Sequence, residues 1–270
     1  MKPALAAHLP SVDASAWRHL TFISDLHLKA SQQASFQVWR QAMQSLQTDA
    51  LFILGDLFEV WVGDDILDAP QGDFERQCFA VLRQMANRCP VYWMVGNRDF
   101  LWGAKAAQQS GMQTLQDPCT LETLQGRWLL SHGDALCIAD TAYQAFRQQV
   151  RASQWQSDFL SKPLAQRLQI ARDLRAQSEA LKQTQTAWFD VDNVAALDSL
   201  QKYGASVLIH GHTHQPAVHT LSADHQRFVL SDWDASAAPA RAQWLTWQMG
   251  QGFSRQEIVP TYPPRGQLFF

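Results

Sequence analysis

Ile53-Leu54-Gly55-Asp56-Leu57-Phe58-Glu59 decides the fold: an apolar run, a glycine, then a carboxylate. The run covers residues 50–54. It is short, apolar and bounded by a turn residue, which reads as a buried strand. Gly55 lets the backbone turn sharply where the strand ends, so Asp56 lies just beyond it. Four other runs end in the same way. Residues 20–23 lead into Ser24-Asp25-Leu26-His27, and residues 91–95 into Gly96-Asn97-Arg98-Asp99. Residues 128–130 lead into Ser131-His132-Gly133-Asp134, and residues 206–209 towards Gly211-His212-Thr213-His214. Ligands of open α/β sheets bind beyond the carboxyl ends of the strands. Five strands therefore carry Asp25, His27, Asp56, Asn97, His132, His212 and His214 to one edge.

The donor types point to metal. Asp25 and His27 are two residues apart, so on an extended segment they face the same side, and His212 and His214 repeat the spacing. A carboxylate placed like Asp56 can bridge two cations. Oxygen and imidazole donors together suit Mn²⁺, Fe²⁺, Co²⁺ or Zn²⁺ and argue against Ca²⁺ or a thiolate site. Any one fragment is commonplace: Asp-x-His recurs on surfaces and Gly-Asp recurs in turns. All five in series, each after an apolar strand, select the metal reading. A pair of cations suits in-line phosphoryl displacement, because it stabilises both the attacking and the leaving oxygen.

Asp-x-His, Gly-Asp, Gly-Asn, His and Gly-His-x-His, in that order, resemble the signature of the calcineurin-like metallophosphoesterase superfamily. Longer strings narrow the likeness: Ile53 to Glu59 with Trp61-Val62-Gly63-Asp64-Asp65, Gly96 to Phe100, His132-Gly133-Asp134, and Ile209 to Pro216. These are similar to the hydrolases of that superfamily that act on UDP-2,3-diacylglucosamine in lipid A biosynthesis. The resemblance runs from about Leu20 to about Trp233. It implies an α/β fold in which two sheets are sandwiched between helices. It also implies two divalent cations, Mn²⁺ foremost, one held by Asp25, His27, Asp56 and His214 and the other by Asp56, Asn97, His132 and His212. Substrate contacts carried over by the likeness are Asn97, Arg98, Asp140, Ser178 and His212, with Lys182 and Gln185 in a segment one residue shorter than the family's. A peripheral position on the cytoplasmic side of the inner membrane is implied as well.

The superfamily has His where this chain has Arg98. Arginine stays protonated and cannot act as a general acid, but it can clamp phosphate oxygens. An enzyme without the acid should prefer a leaving group that departs without a proton. A sugar 1-phosphate fits, since the second pKa of a phosphate ester is about 6. The expectation is hydrolysis at the phosphorus bearing the nucleoside, with Asp56 and Arg98 as catalytic residues. A structural ion pair of Arg98 with Asp99 or Asp134 is the bland alternative.

Composition sets the remaining bounds. The 270 residues carry a formal net charge of -3, so no nucleic-acid surface is indicated, and no protein partner is predicted. The four cysteines have no paired spacing and read as reduced, buried thiols of a cytosolic protein. No apolar run is long enough to span a bilayer. Residues 1–19 read as a loose extension. Helices are predicted over residues 31–47, capped by Ser31, then over 73–87 and 100–111. Asp64 and Asp65 read as solvated or capping. Residues 228–230 and 243–247 read as strands of a second sheet. Residues 139–187 break the alternation: they are helix-forming, basic, and carry Phe146, Trp155, Phe159 and Leu174. They form an insertion in the core of residues 20–138 and 188–270, either a cap burying its own core or a lid for acyl chains. Two other functions stay open: a nucleotide or cyclic-nucleotide phosphodiesterase, and a metal-free scaffold.

Overall fold

The computed structural model describes residues 9–184 and 189–258. Along the chain come β1 (Ser11–Asp13), β2 (His19–Ile23), α1 (Gln33–Ser45), β3 (Ala50–Leu54), α2 (Asp73–Ala86), β4 (Val91–Met94), α3 (Ala104–Ser110) and β5 (Gln113–Leu115). There follow β6 (Cys119–Thr123), β7 (Gly126–Leu130), α4 (Thr141–Arg151), α5 (Ser153–Leu160), α6 (Leu164–Thr184) and α7 (Asn193–Tyr203). The chain closes with β8 (Val207–His210), β9 (Ala217–Ser222), β10 (His225–Val229), β11 (Gln243–Gln248) and β12 (Gly252–Glu257).

Alternation along the strands fixes the layers. In β2 and β3, Leu20, Phe22, Phe52 and Leu54 face the second sheet, where they meet Trp128, Leu130 and Ile209. Ile23, Leu51 and Ile53 face the other way, onto Trp39 and Met43 of α1 and Phe79 and Leu82 of α2. Leu129 and Leu208, on the outer face of the second sheet, pack on Ala196 and Leu200 of α7. The result is a sandwich of two six-stranded sheets, in the orders β12-β11-β2-β3-β4-β5 and β1-β6-β7-β8-β10-β9, with helices outside. Phe22 and Phe52 stack at 5.2 Å between them.

The five ligand-bearing strands are thus split between the sheets. β2, β3 and β4 run parallel in one, and β7 and β8 run parallel in the other. Their carboxyl ends meet at one end of the sandwich, so the site spans both sheets.

Several expectations need correction. Residues 9–19 are not loose: β1 pairs parallel with β6, and Trp17 packs against Tyr92 at 5.9 Å. Ladder hydrogen bonds and one large ring hold a stretch whose composition looks unstructured. β11 does not join the second sheet but lies antiparallel to β2. Ser31 does not cap α1: Gln32 holds that position and makes no side-chain cap. α3 starts at Ala104, because Asp64 accepts the backbone N–H groups of Gly103 and Ala106, both at 2.9 Å. Asp64 is therefore a cap, as one of its two expected roles had it, and Asp65 ties down Arg167 of α6. All four cysteines are buried free thiols. Residues 139–184 are helical as expected, with α4, α5 and α6 in succession. Residues 1–8 and the tail from Tyr262 lie outside the described residues.

Candidate metal centre

Five non-glycine residues have positive φ among the described residues: Asp25 (54°), His27 (48°), Asp56 (54°), His212 (71°) and His214 (55°). All five belong to the expected ligand set. A left-handed backbone costs a side-chain-bearing residue on the order of 1–2 kcal/mol, and it persists only where the surroundings impose it. Here the loops are stitched to one another. Asp25 N–H donates to Gly55 O (3.2 Å), His27 N–H to Asp56 O (3.0 Å) and Leu28 N–H to Leu57 O (2.9 Å). The buried carboxylate of Asp99 accepts from Leu57 N–H and Gly96 N–H, both at 2.7 Å, and so binds the loop after β3 to the loop after β4.

The expected seven side chains converge. His27 Nε2 and His214 Nε2 are 3.1 Å apart, and His214 Nε2 is 3.4 Å from Asp25 Oδ1. Asn97 Oδ1 lies 3.0 Å from both His132 Nε2 and His212 Nδ1. Asp56 stands between the two groups, with Oδ2 4.0 Å from His27 Nδ1 and Oδ1 3.8 Å from His132 Nε2. Two sets have donor atoms close enough to share an ion: Asp25, His27 and His214, and Asp25, Asp56 and His132.

These residues fit a pair of divalent cations on their own geometry. Asp25 Oδ1 and His27 Nδ1 are buried without a hydrogen bond among the described residues, a costly state unless something else satisfies them. His132 Nδ1 lies 2.9 Å from Leu54 O, which can only accept, so Nδ1 carries a proton and Nε2 is the nitrogen left to face a cation. Charge is also concentrated here. Burial favours the neutral carboxyl of Asp25, yet His214, His132 and His27 together hold it well below the usual carboxylate range. Burial raises Asp56. Burial lowers His212 to about 3, with the neighbouring His132 charge adding to it.

Arg98 pairs with neither Asp99 nor Asp134. Its guanidinium donates to Glu59 at 2.6 Å and approaches Asp56 Oδ2 at 3.4 Å. Asp134 instead accepts from Tyr143 Oη (2.7 Å) and Arg147 Nε (2.8 Å) of α4. A cavity of about 490 Å³ opens from this cluster under the helical insertion. Asp56, Asn97, Arg98, His212 and His214 line its inner end; Phe146, Trp155, Phe159 and Leu174 line its outer part. Asp140 and Ser178 line it too, and Asp140 also caps α4 by accepting from Tyr143 N–H at 3.0 Å. Lys182 falls in the last turn of α6, its side chain outside what is described, and Gln185 lies outside the described residues altogether.

Glu59 is a functional candidate that the sequence did not single out, and Arg175 entered only as one of the basic residues of the insertion. One oxygen of Glu59 accepts from Arg98 and, at 2.9 Å, from Arg175 of α6, 116 residues away. The other oxygen lies 3.8 Å from His27 Nδ1. Nothing in the local string at Glu59 signals partners so distant.

Residues 18–216 match the calcineurin-like phosphoesterase family. A UDP-2,3-diacylglucosamine hydrolase of Chromobacterium violaceum is 48% identical over 217 residues, 78% of this chain and 89% of the relative. The enzymes of the same name from Bordetella pertussis and Xanthomonas campestris are 41% and 43% identical, over 84% and 78% of this chain and 90% of each relative.

Proposed function

This chain belongs to the calcineurin-like phosphoesterase family, and from that premise we propose that it hydrolyses the pyrophosphate bond of UDP-2,3-diacylglucosamine. Water attacks the α-phosphorus, the bond from that phosphorus to the bridging oxygen breaks, and the products are UMP and 2,3-diacylglucosamine 1-phosphate. The observation that carries the reading is the junction at Arg98. On one side is a cluster of carboxylates and imidazoles; on the other is an apolar cavity walled by Phe146, Trp155, Phe159 and Leu174. A doubly acylated sugar phosphate calls for both.

Asp25, His27, Asp56 and His214 would hold one cation, and Asp56, Asn97, His132 and His212 the other, with Mn²⁺ the expected metal. When bound, such a pair supplies positive charge to phosphoryl oxygens and acidifies water. Arg98 binds the developing equatorial charge and orients the pyrophosphate. It has no proton to give, and the sugar phosphate needs none on leaving. Asp140 and Ser178, which line the cavity, contact the lipid sugar. Phe146, Leu160 and Leu174 are exposed along the insertion, and Ile138 just before it, which supports a peripheral seat on the cytoplasmic face of the inner membrane.

Mass spectrometry of the products in ¹⁸O-water, with protein stripped by EDTA and reloaded with Mn²⁺, tests this. Labelled UMP and unlabelled sugar phosphate are expected. Label in the sugar phosphate would refute the site of attack, and no turnover of this substrate by a folded, Mn²⁺-loaded protein would refute the assignment.

A further inference from the structure

A second cleft, of about 430 Å³, shares the wall of Glu59, Arg98 and Arg175 with the apolar cavity and none of its other residues. We propose that this cleft seats the nucleoside monophosphate half of the substrate, with Lys29 and Gln32 as its recognition residues. The proposal rests on the hydrolase reading, which it deepens.

The two clefts differ in chemistry. Away from the ligand cluster the first is walled by Phe146, Trp155, Phe159 and Leu174; the second is lined by Lys29, Gln32, Asp232, Asp234 and Arg241 beside His27. A substrate with one apolar and one polar half, cut between them, lies across the shared wall with each half in the matching medium. Acyl chains leave water for the apolar cavity. A nucleotide put there would bury phosphate and base edges without partners.

The charges of the second cleft are paired with one exception. Arg241 is held by Asp232 at 2.8 Å, and Arg98 and Arg175 share Glu59. Lys29 has no carboxylate partner among the described residues, so its ammonium is available to the phosphate or ribose of a nucleotide. The side-chain amide of Gln32 makes no hydrogen bond among the described residues. It offers a donor and an acceptor side by side, the complement of an imide C=O and N–H on a pyrimidine edge. Trp233, also in the lining, is 3% exposed and its indole N–H has no partner among the described residues. Donors left open in a polar cleft that abuts the ligand cluster point to a polar, anionic occupant.

Calorimetry of UMP and of 2,3-diacylglucosamine 1-phosphate against the Mn²⁺-loaded full chain tests the assignment, in wild type, Lys29→Ala and Gln32→Ala. Each variant should weaken UMP about tenfold, the worth of one charge-assisted or well-aligned hydrogen bond, and leave the lipid product within about twofold. Unchanged UMP affinity in both variants, equal loss of both products, or no binding of UMP to wild type would overturn it. Hydrolysis of the UDP-linked lipid by wild type is read in parallel. Turnover with unchanged UMP affinity in the variants sinks the cleft alone; no turnover sinks the hydrolase reading and the cleft with it.

Discussion

At His132, burial and charge pull in opposite directions. Burial opposes its ionisation, but Asp56, Asp134 and Asp25 outweigh that and push its imidazole up to about 9. Without a cation, the extra proton sits on Nε2, facing Asn97 Oδ1. A divalent cation must displace it, so protons compete with metal below pH 9 and affinity falls as pH falls. Mn²⁺ affinity should drop about tenfold per pH unit from 9 to 7, one proton being released per competing site. Calorimetry in buffers of differing ionisation enthalpy measures both, and a pH-independent affinity would refute the role of His132. Arg98→Ala should lower turnover roughly 10²- to 10³-fold with Mn²⁺ content intact, the cost of losing one group aimed at transition-state charge; wild-type turnover would contradict that role. At Gly96, a Cβ would collide with Asp56 Oδ1 and its backbone nitrogen. Gly96→Ala should therefore displace the carboxylate between the two groups and lose Mn²⁺ binding while far-UV circular dichroism is retained.

The helices of the insertion are attached to the metal-bearing loops by arginines. Arg151 of α4 donates to Gly96 O at 2.9 Å, and Arg147 to Asp134. Arg167 of α6 is 2% exposed and bonds Val62 O, Asp65 and, at 2.9 Å, Lys162 O. Its loss would leave a buried carbonyl unpaired, at about 1–3 kcal/mol. Arg167→Ala should raise amide hydrogen exchange along α5 and α6 about tenfold to a hundredfold, with Mn²⁺ content unchanged. Protection equal to wild type would mean that the other contacts, Arg175 to Glu59 among them, dock α6 without Arg167.

Over the whole molecule, both sheets and the loops between them converge on one charged cluster. Its buried donors stay unsatisfied without cations, and its five left-handed residues are strained. Cations that bind only the native state stabilise it by about 4 kcal/mol at a thousand times Kd. For a chain of this length that is a shift in Tm of roughly 5–10 °C. Scanning calorimetry before and after EDTA should read such a fall, restored by Mn²⁺; an unchanged Tm would count against the pair of cations.

From the sequence alone came the five ligand-bearing strands and the order in which chemistry follows them. Short apolar runs followed by Ser-Asp, Gly-Asp, Gly-Asn, Ser-His or Gly-His are local signals, and they placed Asp25, His27, Asp56, Asn97, His132, His212 and His214 beyond strand ends. Tertiary structure decided what depends on distant partners. β11 lies beside β2, Glu59 joins Arg98 to Arg175, Asp99 ties two loops together, and residues 11–13 form an edge strand. None of these has a local signal, because hydrogen bonds and ion pairs between segments far apart in the chain depend on where both segments pack.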